Sequence, residues 1–506
     1  MTTKKTNPAT PVAAGIVLTM LLAGCAVGPD YKRPPLDLPS QYTPAPPASK
    51  EGEGVPLAHL SPELDVPAQW WQAFRSEPLN ALVTQSLAGN PTIEAADAAL
   101  RAAQENEAAD RAAFWPTVAL GYSPTRQRVA SAVASPVSSN ASLYTLHTAQ
   151  VTVSYTPDVF GATRRQVEGA QAQTEQQRFQ SVAAKLTLSS NVVAAAITEA
   201  SLRAQQRATQ TIIAGQKEVL QAYRKQLALG QVASADVDAQ EAALAATEAT
   251  LPPLEKQLAQ QRNLLATLAG RYPGQGVEAR FDLDALQLPT ELPLTLPSTL
   301  VEHRPDVRAA EAQLQAASAA IGVAVAARLP NVTLGANSYG SSAYKLSDLF
   351  KASSLFWTVA GSVTQPIFDG GALKHREAAA RASFDEAAAQ YRATVLAAFQ
   401  DVANTLEAID ADTRALQAAV KAERTASQSL ARTQAQVRLG DASALSLRVA
   451  QQVQQQALLN LVQARALRLT DAAALFQALG GGWWNAPQAA IVSSSSNLPT
   501  SFPTSP

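Results

Sequence analysis

Trp115-Pro116-Thr117-Val118-Ala119-Leu120-Gly121 returns later in the chain as Leu329-Pro330-Asn331-Val332-Thr333-Leu334-Gly335, and reading the two stretches as copies decides the fold. Each ends a helical stretch opened by a proline, Asn90-Pro91 in the first copy and Arg304-Pro305 in the second. The spacings agree: 305 − 91, 330 − 116 and 335 − 121 all equal 214. Further on, Leu229-Gly230 and Leu439-Gly440 each open a helix that finishes at Gly270 and Gly480, and 270 − 230 and 480 − 440 both equal 40. Matches at a fixed period, in the same order, mark an internal duplication.

Each copy has one grammar: a helix, two strands, a very long helix, a turn and another long helix. Period-two alternation places strands at roughly Thr117–Val129 and Leu143–Thr156, then at roughly Asn331–Tyr339 and Leu355–Ile367. Val118, Leu120 and Tyr122 share a face, as do Val151, Val153 and Tyr155; Val332, Leu334 and Ala336; and Trp357, Val359 and Val363. The opposite faces are small or polar, the pattern of a membrane strand with a wet lumen. Ser/Ala-rich loops near Ala130–Asn140 and Ser341–Ser354 join the hairpins.

No proline interrupts Ala162 to Leu229 or Gly371 to Leu439. At about 1.5 Å per residue, either run spans on the order of 100 Å, a length suited to crossing a compartment. Phe179, Val182, Leu186, Ser189, Val193 and Ala196 keep heptad spacing, and so do Phe384, Ala388, Tyr391, Val395, Ala398, Val402, Thr405 and Ile409. Helices alone fit a structural coiled-coil lipoprotein; the strands argue against it. Four membrane strands cannot close, because the smallest membrane barrels have about eight. Open edges leave N–H and C=O groups unpaired in lipid, at several kcal/mol each. Copies must therefore share one barrel, and two, three or four copies all satisfy this arithmetic.

The ends give an address. Lys4 and Lys5 precede a short apolar run, Val12 to Leu22, too short to span a bilayer. Leu22-Ala23-Gly24-Cys25 resembles the lipobox of bacterial lipoproteins, implying cleavage after Gly24 and a covalent lipid on Cys25, the only cysteine. A following Ala26, rather than aspartate, points to the outer membrane. The organisation expected is a signal peptide at 1–24, a lipid-anchored Pro-rich extended segment at 25–69, repeats at 70–270 and 271–482, and a Ser/Pro-rich tail at 483–506 expected to be disordered. With 40 Lys+Arg against 41 Asp+Glu, nothing suggests nucleic acid as a partner.

Four segments carry a family resemblance: Cys25-Ala26-Val27-Gly28-Pro29-Asp30-Tyr31-Lys32-Arg33-Pro34, His303-Arg304-Pro305-Asp306-Val307-Arg308-Ala309-Ala310-Glu311, Gln365-Pro366-Ile367-Phe368-Asp369-Gly370-Gly371, and Ala478-Leu479-Gly480-Gly481-Gly482-Trp483. With the duplication, they resemble the outer-membrane factors, and within them the lipoprotein channels of tripartite resistance–nodulation–division efflux pumps. The resemblance implies a mainly α protein with membrane β structure: a homotrimer with a 12-stranded β-barrel, continued by a long periplasmic α-helical barrel with an equatorial domain. It implies as partners a periplasmic adaptor (membrane fusion) protein, an inner-membrane resistance–nodulation–division transporter and outer-membrane lipid. A type I protein-secretion channel shares this architecture; the lipid anchor and the His303–Glu311 segment favour efflux. Cargo is chosen mainly by the transporter and cannot be read from this chain.

The resemblance also places a periplasmic gate near the helix turns, here Gly230 and Gly440, where adaptors dock. Asp236 matches a family aspartate that holds the closed state through a neighbouring helix. Where the family often carries further aspartates this chain has Ser446 and Val449, and Asp441 is a candidate substitute that would select cations by charge. Both aspartates also suit helix N-termini, where a carboxylate satisfies orphan N–H groups. No catalytic constellation emerges, so no enzyme is expected. His59, His147, His303 and His375 are scattered, His303 reading as part of a helix-entry turn with Pro305, and no metal site is expected. Pro252-Pro253 interrupts the second helix of the first copy, whereas Val462 and Gln463 occupy the matching places, so a bend is expected in one copy only.

Overall fold

A computed structural model describes residues 26–43 and 59–486, apart from 131, 134, 138, 295 and 296. Cys25, the signal segment, the middle of the Pro-rich stretch and the tail beyond 486 lie outside the described residues. The strands are β1 His59–Ser61, β2 Thr117–Arg128, β3 Leu143–Tyr155, β4 Glu291–Pro293, β5 Asn331–Ala343 and β6 Leu355–Thr364. The helices are α1 Glu77–Gly89, α2 Pro91–Arg111, α3 Ala162–Ala228, α4 Ser234–Glu248, α5 Leu251–Leu268, α6 Pro297–His303, α7 Pro305–Ala326, α8 Ala372–Leu439 and α9 Ala444–Ala478. The chain divides into two compact units, one drawing on Met1–Pro34, Leu100–Gln177 and Ala310–Tyr391, the other on Pro35–Ala99, Arg178–Ala309 and Arg392–Pro506.

The first unit holds one antiparallel four-stranded sheet, ordered β2-β3-β5-β6. The two hairpins of the duplication thus pair with each other. β6 stops at Thr364, three residues short of the expected Ile367, because Pro366 has no N–H for the ladder. β5 runs on to Ala343, beyond the expected Tyr339, so its loop begins later than Ser341. It does so by a bulge: the register against β6 shifts between Asn337 and Gly340. The Phe356 ring lies over Gly340, so that a Cβ there would come within 2.4 Å of it and the ring would have to move.

The same unit fastens the N-terminal segment to the junction of β3 and α3. Val27 N–H donates to Phe160 O at 3.1 Å. Arg165, almost fully buried, donates to Val27 O at 3.2 Å and to Asp30 Oδ1 at 2.7 Å, and pairs with Glu168 at 2.7 Å. A buried guanidinium needs such saturation, because charge removed from water is costly unless paired. Gly161, at φ +81°, lies so close to Ala26 that a Cβ would approach its Cα to 2.6 Å. Arg33 forms an ion pair with Glu311 of α7. The first and second resembling segments are therefore in contact.

The second unit carries the main core. Trp70 stacks on Phe476 at 5.5 Å and meets Phe74 edge-on at 6.5 Å, and Leu79, Leu265, Leu292, Leu300 and Leu475 of the same unit are also buried. Glu199 of α3 is fully buried and accepts from Phe281 N at 3.0 Å; Arg203 and Arg262 pair with it. Arg262 also donates to Val277 O at 2.8 Å, so one acid ties α3, α5 and the 277–281 segment together. Of the heptad positions, Phe179, Val193, Ala196, Tyr391, Val395, Ala398, Val402 and Ile409 are buried, as coiled packing demands.

The second helix of the first copy is broken, and that of the second copy is not: α9 runs unbroken for 35 residues, whereas α4 ends at Glu248 and α5 starts at Leu251. Pro252 and Pro253 lie at the start of α5, where a missing N–H costs least. Ala249 and Thr250 keep right-handed dihedrals, and Thr250 N–H reaches back only to Thr247 O at 3.1 Å.

Candidate channel-forming sheet and gate

One face of the sheet is apolar. Paired residues Val118, Val153, Ala336 and Val359 form a row across all four strands, flanked by Leu120 against Val151 and by Val332 against Val363. Leu120 is 82% exposed and Val359 72% exposed. In water such a continuous apolar patch is unfavourable, and it marks an interaction or membrane surface. The opposite face carries Thr117, Ser154, Gly335 and Ala360 in one row and Ser123, Thr148 and Ser342 in another, with Thr148 and Ser342 hydroxyls 3.2 Å apart. Tyr122 and His147 stack on the apolar side, the phenol 2.8 Å from His147 Nδ1. β2 and β6 are edges, each with an unpaired row of backbone groups.

The candidate gate lies in the second unit. Gly230 (φ +71°) and Gly440 (φ +83°) adopt the left-handed conformation that ends a helix. The same Schellman-type bonds follow: Gln231 N–H reaches Gln226 O at 2.9 Å, and Asp441 N–H reaches Gln436 O at 2.9 Å. The two turns differ in what comes next. Ser443 caps α9 by accepting from Ser446 N at 3.2 Å, whereas α4 follows Ala233, whose side chain cannot cap. Asp236 lies in the first turn of α4, a favourable place for a carboxylate against the helix dipole. Asp441 is exposed and lies in the turn itself, before Ser443, so it is not a helix N-terminal residue.

Asp236 is not isolated. Tyr223 of α3 has a buried hydroxyl with no hydrogen-bond partner, and its pKa is raised, chiefly by burial; Arg448 of α9 opposes this, and the Asp236 carboxylate adds a smaller upward push. An acid, a phenol and a guanidinium from three helices therefore share one electrostatic neighbourhood. Sequence reading found the acid and missed Tyr223 and Arg448, because nothing in spacing links positions on separate helices. Along α9, Leu445, Val449 and Val453 are exposed at four-residue steps beside Ser429 and Thr433 of α8. They form an uncovered apolar ridge in the single chain. Among the described residues no three His, Cys, Asp or Glu side chains cluster as metal ligands. His303 ends α6 and stacks on Trp484 at 3.9 Å, as expected of a residue in a helix-entry turn.

The family model described as outer membrane efflux protein matches residues 82–271 and 296–481, one match per repeat. The pyoverdine export outer membrane protein OpmQ of Pseudomonas putida is 30% identical over 445 residues, covering 87% of this chain and 92% of that protein. The toluene efflux pump outer membrane protein TtgC of the same species is 29% identical over 473 residues, covering 92% and 95%. Among solved structures, the outer membrane protein VceC of Vibrio cholerae superposes with a TM-score of 0.77 at 26% identity, covering 83% of this chain and 100% of that one.

Proposed function

The chain belongs to the outer membrane efflux protein family, and from that membership we propose how its sheet, anchor and turns are used. It is an outer-membrane efflux channel protein that extends into the periplasm, and its family is one of channels rather than enzymes. Three copies share one 12-stranded barrel, the β2 edge of each pairing with the β6 edge of the next. The observation that carries this reading is the apolar row Val118–Val153–Ala336–Val359, exposed at Val118 and Val359, on a four-stranded sheet with two open edges. Lipid would cover the row and neighbouring copies would satisfy the edges.

Cys25 carries the lipid. Ala26 lies on Gly161, just past the end of β3, so acyl chains attached to the preceding residue would enter the leaflet nearest the strand ends. Two or three chains, at about 0.8 kcal/mol per buried methylene, anchor stably. The long helices form a ring in which a neighbouring copy covers the Leu445–Val449–Val453 ridge. Asp236, with Tyr223 and Arg448, holds the closed state, and Asp441 from each copy lines the constriction. The turns at Gly230 and Gly440 meet a periplasmic adaptor, which links the channel to an inner-membrane transporter; that transporter sets the cargo.

The face assignment has a direct test by reconstitution. Val359→Arg places a charge on the lipid face and should cost about 2–4 kcal/mol at mid-membrane, abolishing insertion. Thr148→Arg on the opposite face should insert normally and lower cation conductance. Equal effects on insertion would sink the assignment.

A further inference from the structure

The outward face of the sheet changes character along β2. Register places Val332 against Val363 at its lowest apolar row and Tyr122, Ala149, Ser341 and Leu355 at its highest. Eight residues at about 3.3 Å separate these rows, roughly 26 Å along a strand. Tilted as membrane strands are, this comes to about 20 Å, comparable to the apolar band of about 25 Å that outer-membrane barrels present. The next row holds Pro124, His147 and Ala343. Beyond it, still on the outward parity of β2, come Arg126 and then Arg128, opposite Thr145 and Leu143.

Both arginines are exposed, and neither pairs with an acid among the described residues. Lys345 follows Ala343 by two residues on extended backbone, φ −123° and ψ 141°. The two hairpin ends, residues 124–148 and 340–356, carry Arg126, Arg128, Lys345 and Lys351 against a single acid, Asp348. Asp348 is already taken by Lys351 at 2.7 Å. This end of the sheet is therefore basic in a chain whose net charge is −1. The second copy does not repeat the feature, since Gly340 and Ser342 stand where Arg126 and Arg128 would recur.

An arginine is tolerated on a lipid face only near the interface, and these two begin just past the apolar band. Guanidinium forks match phosphate oxygens two at a time. We propose that Arg126 and Arg128, with Lys345, bind the phosphate groups of a phosphorylated glycolipid in the outer leaflet. The occupant is a lipid, not a soluble anion, because the basic rows lie on the same face as the apolar rows of Tyr122, Leu120 and Leu355, with only the row of Pro124, His147 and Ala343 between them. Its acyl chains lie on that belt while its phosphates meet the guanidinium groups.

The inference rests on the channel reading, and the test keeps the two apart. Purified full-length protein in detergent is titrated with diphosphoryl lipid A, monophosphoryl lipid A and inorganic phosphate, and bound lipid is read by native mass spectrometry. Diphosphoryl lipid A should bind most tightly, and Arg126→Gln/Arg128→Gln should weaken it at least about tenfold. The variant should keep the oligomer and conductance of the unaltered protein. Equal lipid binding by the variant, indifference to the number of phosphates, or full competition by inorganic phosphate would overturn the inference while the channel stands. A preparation that forms no oligomer would overturn the channel reading, and the inference with it.

Discussion

Arg304 donates Nη1–H to the carbonyl of Ala478 at 3.1 Å, and its counterpart in the first copy, Asn90, donates Nδ2–H to the carbonyl of Leu268 at 2.9 Å. Each residue stands before the proline that opens a repeat, and each satisfies an orphan carbonyl at the end of that repeat's closing helix. The glycines beyond those helix ends complete the match. A Cβ on Gly270 would meet Gly89 O at 2.1 Å, and one on Gly480 would meet His303 O at 3.1 Å. Gly89 and His303 are themselves equivalent positions. The duplicated Pro and Gly signals are thus two halves of one joint, made twice.

That joint predicts unequal costs. Both glycines have positive φ, which costs an alanine about 1–2 kcal/mol before any clash. Gly270→Ala adds an overlap with backbone that cannot move aside, whereas Gly480→Ala meets a looser contact. Thermal melting should show Gly270→Ala as clearly the more destabilising, with Gly480→Ala losing about 1–2 kcal/mol. Equal melting points would refute the close approach.

A buried charge cluster predicts a pH dependence. Arg468 of α9 is 2% exposed and donates Nε–H to Thr413 of α8 at 2.9 Å. Beside it, burial and then the Asp412 carboxylate push Asp471 up to about 7, against the pull of Arg468. The folded state therefore holds a proton that the unfolded chain releases near pH 4. This contribution is complete below the unfolded pKa and is lost as pH rises through about 7. Asp471→Asn should flatten the fall in stability between about pH 4 and 7, a tenfold difference in proton affinity between folded and unfolded chain being worth about 1.4 kcal/mol. An unchanged slope would remove Asp471 as its source.

The break between α4 and α5 is assigned to Pro252 and Pro253. Replacing them with the residues of the second copy, Pro252→Val with Pro253→Gln, supplies the two missing amides. Those amides should be strongly protected from hydrogen exchange, as in the unbroken α9. Fast exchange at 252 and 253 would mean that packing, not proline, interrupts the helix.

Much of this architecture could be read from the residues. Alternation located the four strands of the larger sheet and proline-free runs located the long helices, whereas the three-residue strands β1 and β4, too short to show a period, were missed. The bulge at Asn337–Gly340 was not readable, since a register shift is set by pairing with a strand distant in sequence, where Phe356 lies over Gly340. Nor was the clamp of Arg165 on Asp30 and Val27, which joins segments distant in sequence. Of the proposed gate, Asp236 was named through resemblance alone, while Tyr223 and Arg448 enter only through the electrostatics that three separate helices set up.

The gate assignment predicts conductance. Asp236→Asn and Arg448→Ala should each raise single-channel conductance in planar bilayers, at least about twofold, by weakening the electrostatic neighbourhood that Asp236 and Arg448 share around Tyr223. Tyr223→Phe, which removes only a buried hydroxyl without a partner, should change stability little. Conductance unaltered by both Asp236→Asn and Arg448→Ala would leave Asp236 as a helix N-terminal residue only.

The shared barrel is the central claim, and native mass spectrometry of membrane-expressed, detergent-extracted protein tests it most directly. The mass should be that of three chains, each beginning at an acylated Cys25 and dissociating together on heating. A lipidated monomer, or a dimer without heat-resistant β structure, would contradict it.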